Sequence, residues 1–112
     1  MPKISISPTK DYFLKDGSKF FCLADTAWAA FTNAQEKEWE EYLDFRRIQN
    51  FNAVQINVLQ QWDAGASDLN MYPFKTDVEG RFDFDHINEA YFKRACKMLE
   101  TAVKKGFVPV LF

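Results

Sequence analysis

Two helix-like segments set between short runs of β-branched and aromatic residues predict an α/β chain. Apolar residues recur at three- and four-residue spacing near residues 39–46 and again near 95–103. Between them lies the strand-like run Ala53-Val54-Gln55-Ile56-Asn57-Val58-Leu59, and Phe107-Val108-Pro109-Val110-Leu111-Phe112 follows the second helix. Strand, helix, strand, helix, strand is the order of a parallel sheet with crossover helices, either an open doubly wound sheet or a (β/α)8 barrel. The chain of 112 residues stops inside an apolar strand, an edge that complete proteins avoid leaving bare. A barrel takes about 250 residues. The expectation is therefore the N-terminal portion of a (β/α)8 barrel, preceded by a β-hairpin and truncated at about the third barrel strand. Residues 1–112 all fall in that single domain.

Ile4-Ser5-Ile6-Ser7 alternates as a half-buried strand does. Tyr12-Phe13-Leu14 and Phe20-Phe21-Cys22-Leu23 flank Asp16-Gly17, a strong hairpin signal. The second of these runs is read as a strand that gives way to polar groups within Leu23–Trp28. A loop or short helical turn is expected from Asp25 to about Thr32. Asn33 is placed to cap the first long helix, with Glu36 three residues on as its capping-box partner. Acidic residues load that helix's start and Arg46 and Arg47 its end, which suits the helix dipole. Trp39, Tyr42, Leu43 and Arg46 form one stripe, and Asn50 is a left-handed terminator. Gln60 to Asp85 reads as a long connection without sustained period, and such loops are usually functional. The second helix is expected over about 88–105, burying Ala95, Met98, Leu99, Ala102 and Val103 and stopped by Gly106.

Composition removes several roles. The chain carries 14 Lys+Arg against 16 Asp+Glu, without the clustered basic excess of a nucleic-acid binder. It is 47% hydrophobic and 17% aromatic, too apolar for a disordered linker. No run approaches the roughly 18 apolar residues of a membrane span, so no membrane partner is expected. Met-Pro-Lys-Ile-Ser lacks a basic segment followed by an apolar one, which reads as a cytoplasmic protein without a signal peptide. Cys22 and Cys96 stand far apart without a motif and are read as free, buried thiols.

The segment Phe20-Phe21-Cys22-Leu23-Ala24-Asp25-Thr26-Ala27-Trp28 after an Asp-Gly turn resembles the opening of apiosidase-like glycoside hydrolases, bacterial (β/α)8-barrel proteins. The likeness continues through Tyr42-Leu43, Arg46 and Phe51-Asn52-Ala53-Val54-Gln55. It resumes at Gln61-Trp62-Asp63, Ser67-Asp68-Leu69-Asn70, Tyr72-Pro73-Phe74 and Asn88-Glu89-Ala90-Tyr91-Phe92. Asn50 stands where that family usually has Gly. The resemblance implies hydrolysis of O-glycosidic bonds in complex polysaccharides, with the two catalytic carboxylates on later strands absent from this chain. The fragment is then inactive alone, its partners being a carbohydrate substrate and the remainder of its own barrel. A small non-catalytic α/β carbohydrate-binding or interaction module is the alternative.

Barrel active sites lie at the carboxyl ends of the strands. Those ends are expected to carry Asp25 and Trp28 after the first strand, and Asn57, Gln61, Trp62 and Asp63 after the second, with Asp68 and Tyr72 on the long loop. Amides and carboxylates hydrogen-bond ring hydroxyls, while indole and phenol rings pack on the apolar face of a sugar. Asp25 can instead cap the turn after it, and Trp28 can be buried under the first helix. Gln55 and Asn57 share one face of their strand, with Gln55 read as internally bonded and Asn57 as reaching ligand. Asp25 and Asp63, on adjacent strand ends, could approximate a carboxylate pair roughly 5–10 Å apart, yet in barrels of this type the pair comes from later strands. His86 beside Asp83 and Asp85 reads as structural. No second His or Cys lies at ligand spacing, so neither a metal nor another cofactor is expected.

Overall fold

The computed structural model describes residues 1–59, 69 and 71–112. Three short strands open the chain: β1 (Ile4–Ile6), β2 (Phe13–Lys15) and β3 (Ser18–Phe20), antiparallel in the order β1-β2-β3. The β2–β3 turn places Asp16 (φ 50°) and Gly17 (φ 82°) in the left-handed region, as a two-residue hairpin of matching twist requires. Ile6, Phe13 and Phe20 stand in one cross-strand row. Together with Phe21 they line an open concavity of about 420 Å³. The alternation of β1 is as expected, but Ile4 and Ile6 are exposed rather than half-buried, because no described residue covers that face.

The hairpin strand ends earlier than expected. β3 stops at Phe20, and a separate strand, β4 (Ala24–Thr26), begins the parallel sheet. β5 (Ala53–Ile56) and β8 (Val108–Leu111) complete it in the order β4-β5-β8, each parallel to its neighbour. A short turn of helix, α1 (Ala30–Asn33), and the longer α2 (Glu36–Ile48) connect β4 to β5. Asn33 therefore lies inside α1. The residue before α2 is Gln35, whose N–H donates to Glu38 Oε2 at 2.8 Å. The capping position sits two residues later than the spacing of Asn33 and Glu36 suggested, because α1 takes the chain through Asn33 first. α2 ends as expected: Asn50 is left-handed (φ 67°), and Phe51 N–H returns to Arg46 O at 3.0 Å.

α3 (Glu89–Lys104) connects toward β8 and stops at Gly106, where φ is 89°. Its buried stripe is Tyr91, Ala95, Met98 and Ala102, with Leu99 partly covered. These pack with Phe31, Trp39, Leu43, Val54, Ile56 and Phe107 in one core between the helices and one face of the sheet. Trp39 buries its ring without loss because Nε1 donates to Met98 O at 2.9 Å. Arg94 crosses the core boundary and donates to the carbonyls of Phe31 and Ala34, the unsatisfied end of α1.

The connection expected over residues 60–85 overlaps a hairpin that the sequence reading missed: β6 (Phe74–Thr76) against β7 (Phe82–Ile87), antiparallel with a bulge between Phe74 and Lys75. Its signal was present in the alternation Phe82-Asp83-Phe84-Asp85 after Gly80. The cysteines are free but exposed rather than buried. Cys96 follows Ala95 on α3 and so falls off the buried stripe by about 100°, the rotation per helical residue. Among the described residues, no helix is long and apolar enough to cross a membrane.

Candidate functional site

Register decides which side chains share a face. Asp25 pairs with Val54, and Val54 with Pro109, while Thr26, Gln55 and Val110 form the adjacent row. Val54 and Ile56 belong to the helix-side core, so the row of Asp25 faces the helices and the row of Thr26 faces away from them. Thr26 and Val110 are exposed on that bare face. Gln55 lies on that face by register, while Asn57, just past the end of β5, is buried.

Asp25 lies inside β4 rather than after the strand, and its carboxylate is engaged on the helix side. Oδ2 accepts Tyr42 OH at 2.7 Å and the Arg46 Nε proton, and Oδ1 accepts Thr26 N–H at 2.9 Å. Burial pushes the carboxyl upward, but the bonds from Tyr42, the Thr26 backbone and Arg46 outweigh it and hold it below the usual carboxylate range. Burial, then the bond to Asp25, pushes the Tyr42 phenol up to about 12. The Arg46 guanidinium also stacks over the rings of Tyr42 and Phe51 at 5.4 and 5.5 Å. This face is not the one a ligand at the strand ends would meet. The Asp25 carboxylate is thus held in a bond network with Tyr42, Arg46 and the Thr26 backbone.

Trp28 and Asn57 do come together at the carboxyl ends of β4 and β5. Asn57 N–H donates to Trp28 O at 3.2 Å, Ala27 N–H to Gln55 O at 2.8 Å, and Val58 N–H to Phe112 O at 2.9 Å. One residue further along, Tyr91 OH donates to Val58 O at 2.8 Å. Trp28 is 50% exposed, so burial under the first helix does not describe it, whereas Asn57 is buried. Tyr72 is half-buried. Its carbonyl accepts Asn88 Nδ2 at 2.8 Å, and its ring packs on Phe82 with centroids 6.1 Å apart. Gln61, Trp62, Asp63 and Asp68 lie outside the described residues. His86 is exposed and pairs through Nδ1 with Asp83 Oδ2 at 2.7 Å. Among the described residues, no three His, Cys, Asp or Glu side chains are grouped to hold a metal ion.

The sequence profile of the apiosidase-like catalytic domain matches residues 7–112. The chain belongs to that family. Three solved structures share the fold of this apiosidase-like chain. One described as a glycoside hydrolase has a TM-score of 0.71 at 22% identity and covers 97% of the chain. A candidate glycoside hydrolase from Bacteroides vulgatus ATCC 8482 reaches 0.78 at 24% identity over 99% of it. A glycoside hydrolase family 5 structure from the same organism reaches 0.71 at 20% identity over 97%. The chain spans only 24% of the length of each of the three. No curated protein matches it.

Asn52, two residues before the β5 core positions, carries a role that sequence reasoning passed over. Its side chain accepts Leu23 N–H at 2.8 Å and donates to Phe21 O at 2.6 Å, which ties the opening sheet to β4 and β5. Its place between Phe51 and Ala53, where an apolar strand begins, was the available signal.

Proposed function

We propose that residues 1–112 are the N-terminal part of one (β/α)8 catalytic domain, belonging to a glycoside hydrolase that cleaves O-glycosidic bonds in complex polysaccharides. In this reading the chain supplies substrate-binding groups, and later strands supply the two carboxylates. The observation that carries it is the pairing of Trp28 with Asn57 at adjacent carboxyl ends of a parallel sheet. An exposed indole there suits the apolar face of one sugar ring, and an amide from the neighbouring strand end suits a hydroxyl. Gln61, Trp62, Asp63, Asp68 and Tyr72 are the further substrate-binding residues we propose. Asp25 is left out of it, since its carboxylate is held by Tyr42 and Arg46.

Two features support a remainder of the barrel as partner. The face of Thr26 and Val110 is bare, as an inner barrel wall without its opposite strands is. On the open side of β4, a recess of about 410 Å³ is lined by Ala27, Ala30, Ala34, Trp39 and Tyr42, apolar enough for another helix.

The test is the longer protein that carries this chain, assayed for reducing-end release on a panel of plant and bacterial glycans. Trp28→Ala and Asn57→Ala are each expected to raise KM by about 10-fold, the size of one lost ring contact or hydrogen bond, with the melting temperature held. Absence of hydrolysis on every glycan, or variants with unchanged KM, would sink the reading.

A further inference from the structure

The aromatic side chains of the β6–β7 hairpin have no place in the core. Phe74 packs edge-on against Phe84 with centroids 5.1 Å apart, and Phe82 lies 6.0 Å from Phe74 and 6.5 Å from Phe84. Phe84 nevertheless remains 73% exposed and Phe82 37%. The cluster holds its own rings in tilted and edge-to-face contact and leaves them open among the described residues.

Topology places this surface. The hairpin is inserted between the carboxyl end of β5 and the start of α3, on the rim where the proposed site lies. Asn88, directly before α3, grips its base: its N–H donates to Pro73 O and its Nδ2 to Tyr72 O, both at 2.8 Å. At the tip, Asp77 Oδ1 accepts the N–H groups of Glu79 and Arg81, both at 2.9 Å. The hairpin is thus ordered before anything binds, which lowers the entropic cost of binding. Tyr72 is continuous with it through Phe82 and is also one of the proposed site residues.

We infer that Phe74, Phe82 and Phe84 form an outer platform for a neutral stretch of polysaccharide, one that continues the rim beyond Tyr72. The inference rests on the glycoside hydrolase reading above. Flat apolar rings take the C–H faces of sugars, and His86, on the face of Phe82 and Phe84 by alternation along β7, offers a ring nitrogen to a hydroxyl. Neutrality follows from charge: on the hairpin Asp77, Glu79, Asp83 and Asp85 outnumber Lys75 and Arg81, so a uronate-rich chain is repelled.

The test uses the longer protein and native gels containing soluble galactomannan, xylan or polygalacturonate, beside kinetics on short aryl glycosides. Phe84→Ala should weaken retardation by a neutral polymer about 5-fold, the scale of one ring contact, while Phe84→Trp restores it. Hydrolysis of the short glycoside should persist in both variants. Equal retardation of wild type and Phe84→Ala overturns the platform while leaving the hydrolase reading intact. Stronger retardation by polygalacturonate overturns it as well. A change in sedimentation coefficient, or a fall in melting temperature without a change in retardation, assigns the surface instead to a second copy or to the rest of the barrel. Failure of the wild type both to bind any polymer and to cleave any short glycoside overturns both readings.

Discussion

The Asn52 side-chain oxygen accepts Leu23 N–H at 2.8 Å while the Asn52 N–H donates to Leu23 O at 3.0 Å, a reciprocal pair that joins the start of β5 to the start of β4. Asn52 Nδ2 holds Phe21 O, and Asn52 O accepts Val108 N–H at 2.9 Å, so one residue joins the opening sheet and all three parallel strands. Asparagine alone among side chains of this length offers both a donor and an acceptor here.

Asn52→Ala in the longer protein should therefore cost about 1–3 kcal/mol, the penalty of leaving the part-buried Leu23 N–H unpaired. Asn52→Asp keeps the acceptor for Leu23 and loses the donor to Phe21, so its loss should be smaller. Denaturant unfolding with amide exchange at Leu23 checks this. Full protection of Leu23 in Asn52→Ala would refute it.

Asp25→Ala should lower stability by about 1–3 kcal/mol because it strands the Tyr42 hydroxyl and the Arg46 guanidinium. KM of the surviving folded enzyme should stay close to wild type, since the carboxylate faces α2. A large rise in KM with unchanged melting temperature would return Asp25 to the binding site. Arg46→Ala should reproduce the stability loss.

The same network sets two pH limits. The Asp25 carboxyl is depressed on folding, so its contribution is full above the unfolded value of about 3.9 and is lost as pH falls through the lower folded value. Tyr42 is raised to about 12, so its contribution is full below the unfolded value and lost as pH rises toward that number. Tyr42→Phe should flatten the alkaline limb of melting temperature against pH. An alkaline limb unchanged in Tyr42→Phe would assign it to another group.

The isolated 112-residue chain should self-associate. β8 is the outer strand of its sheet, with Leu111 46% and Phe112 68% exposed, and such an edge pairs readily with another copy. Sedimentation velocity should show concentration-dependent association that Leu111→Lys reduces. A monodisperse monomer with a cooperative thermal transition would contradict this.

Local chemistry was legible without the fold. Asp16-Gly17 specified the hairpin turn, Asn50 and Gly106 specified the left-handed ends of the long helices, and the spacing of Trp39, Leu43, Ala95, Met98 and Ala102 specified the buried faces. Each depends on residues within one or two turns of chain, so the sequence alone determined them. The order of the parallel strands and the two long helices followed from the same periodicities, while the β6–β7 hairpin between them did not.

The tertiary structure decided where short strands begin and what faces what. β4 starts at Ala24 because Asn52 and the β5 backbone pair with Leu23 and the residues after it, and no local signal separates Phe20 from Ala24. With a period of two, that start determines whether Asp25 meets the helices or the bare face. The capping position moved from Asn33 to Gln35 because α1 packs on α3 through Arg94. Cys22, Cys96, Ile4 and Ile6 are exposed because burial depends on the presence of a distant partner surface. Composition specifies which residues favour burial, and only the assembled neighbours determine which of them are covered.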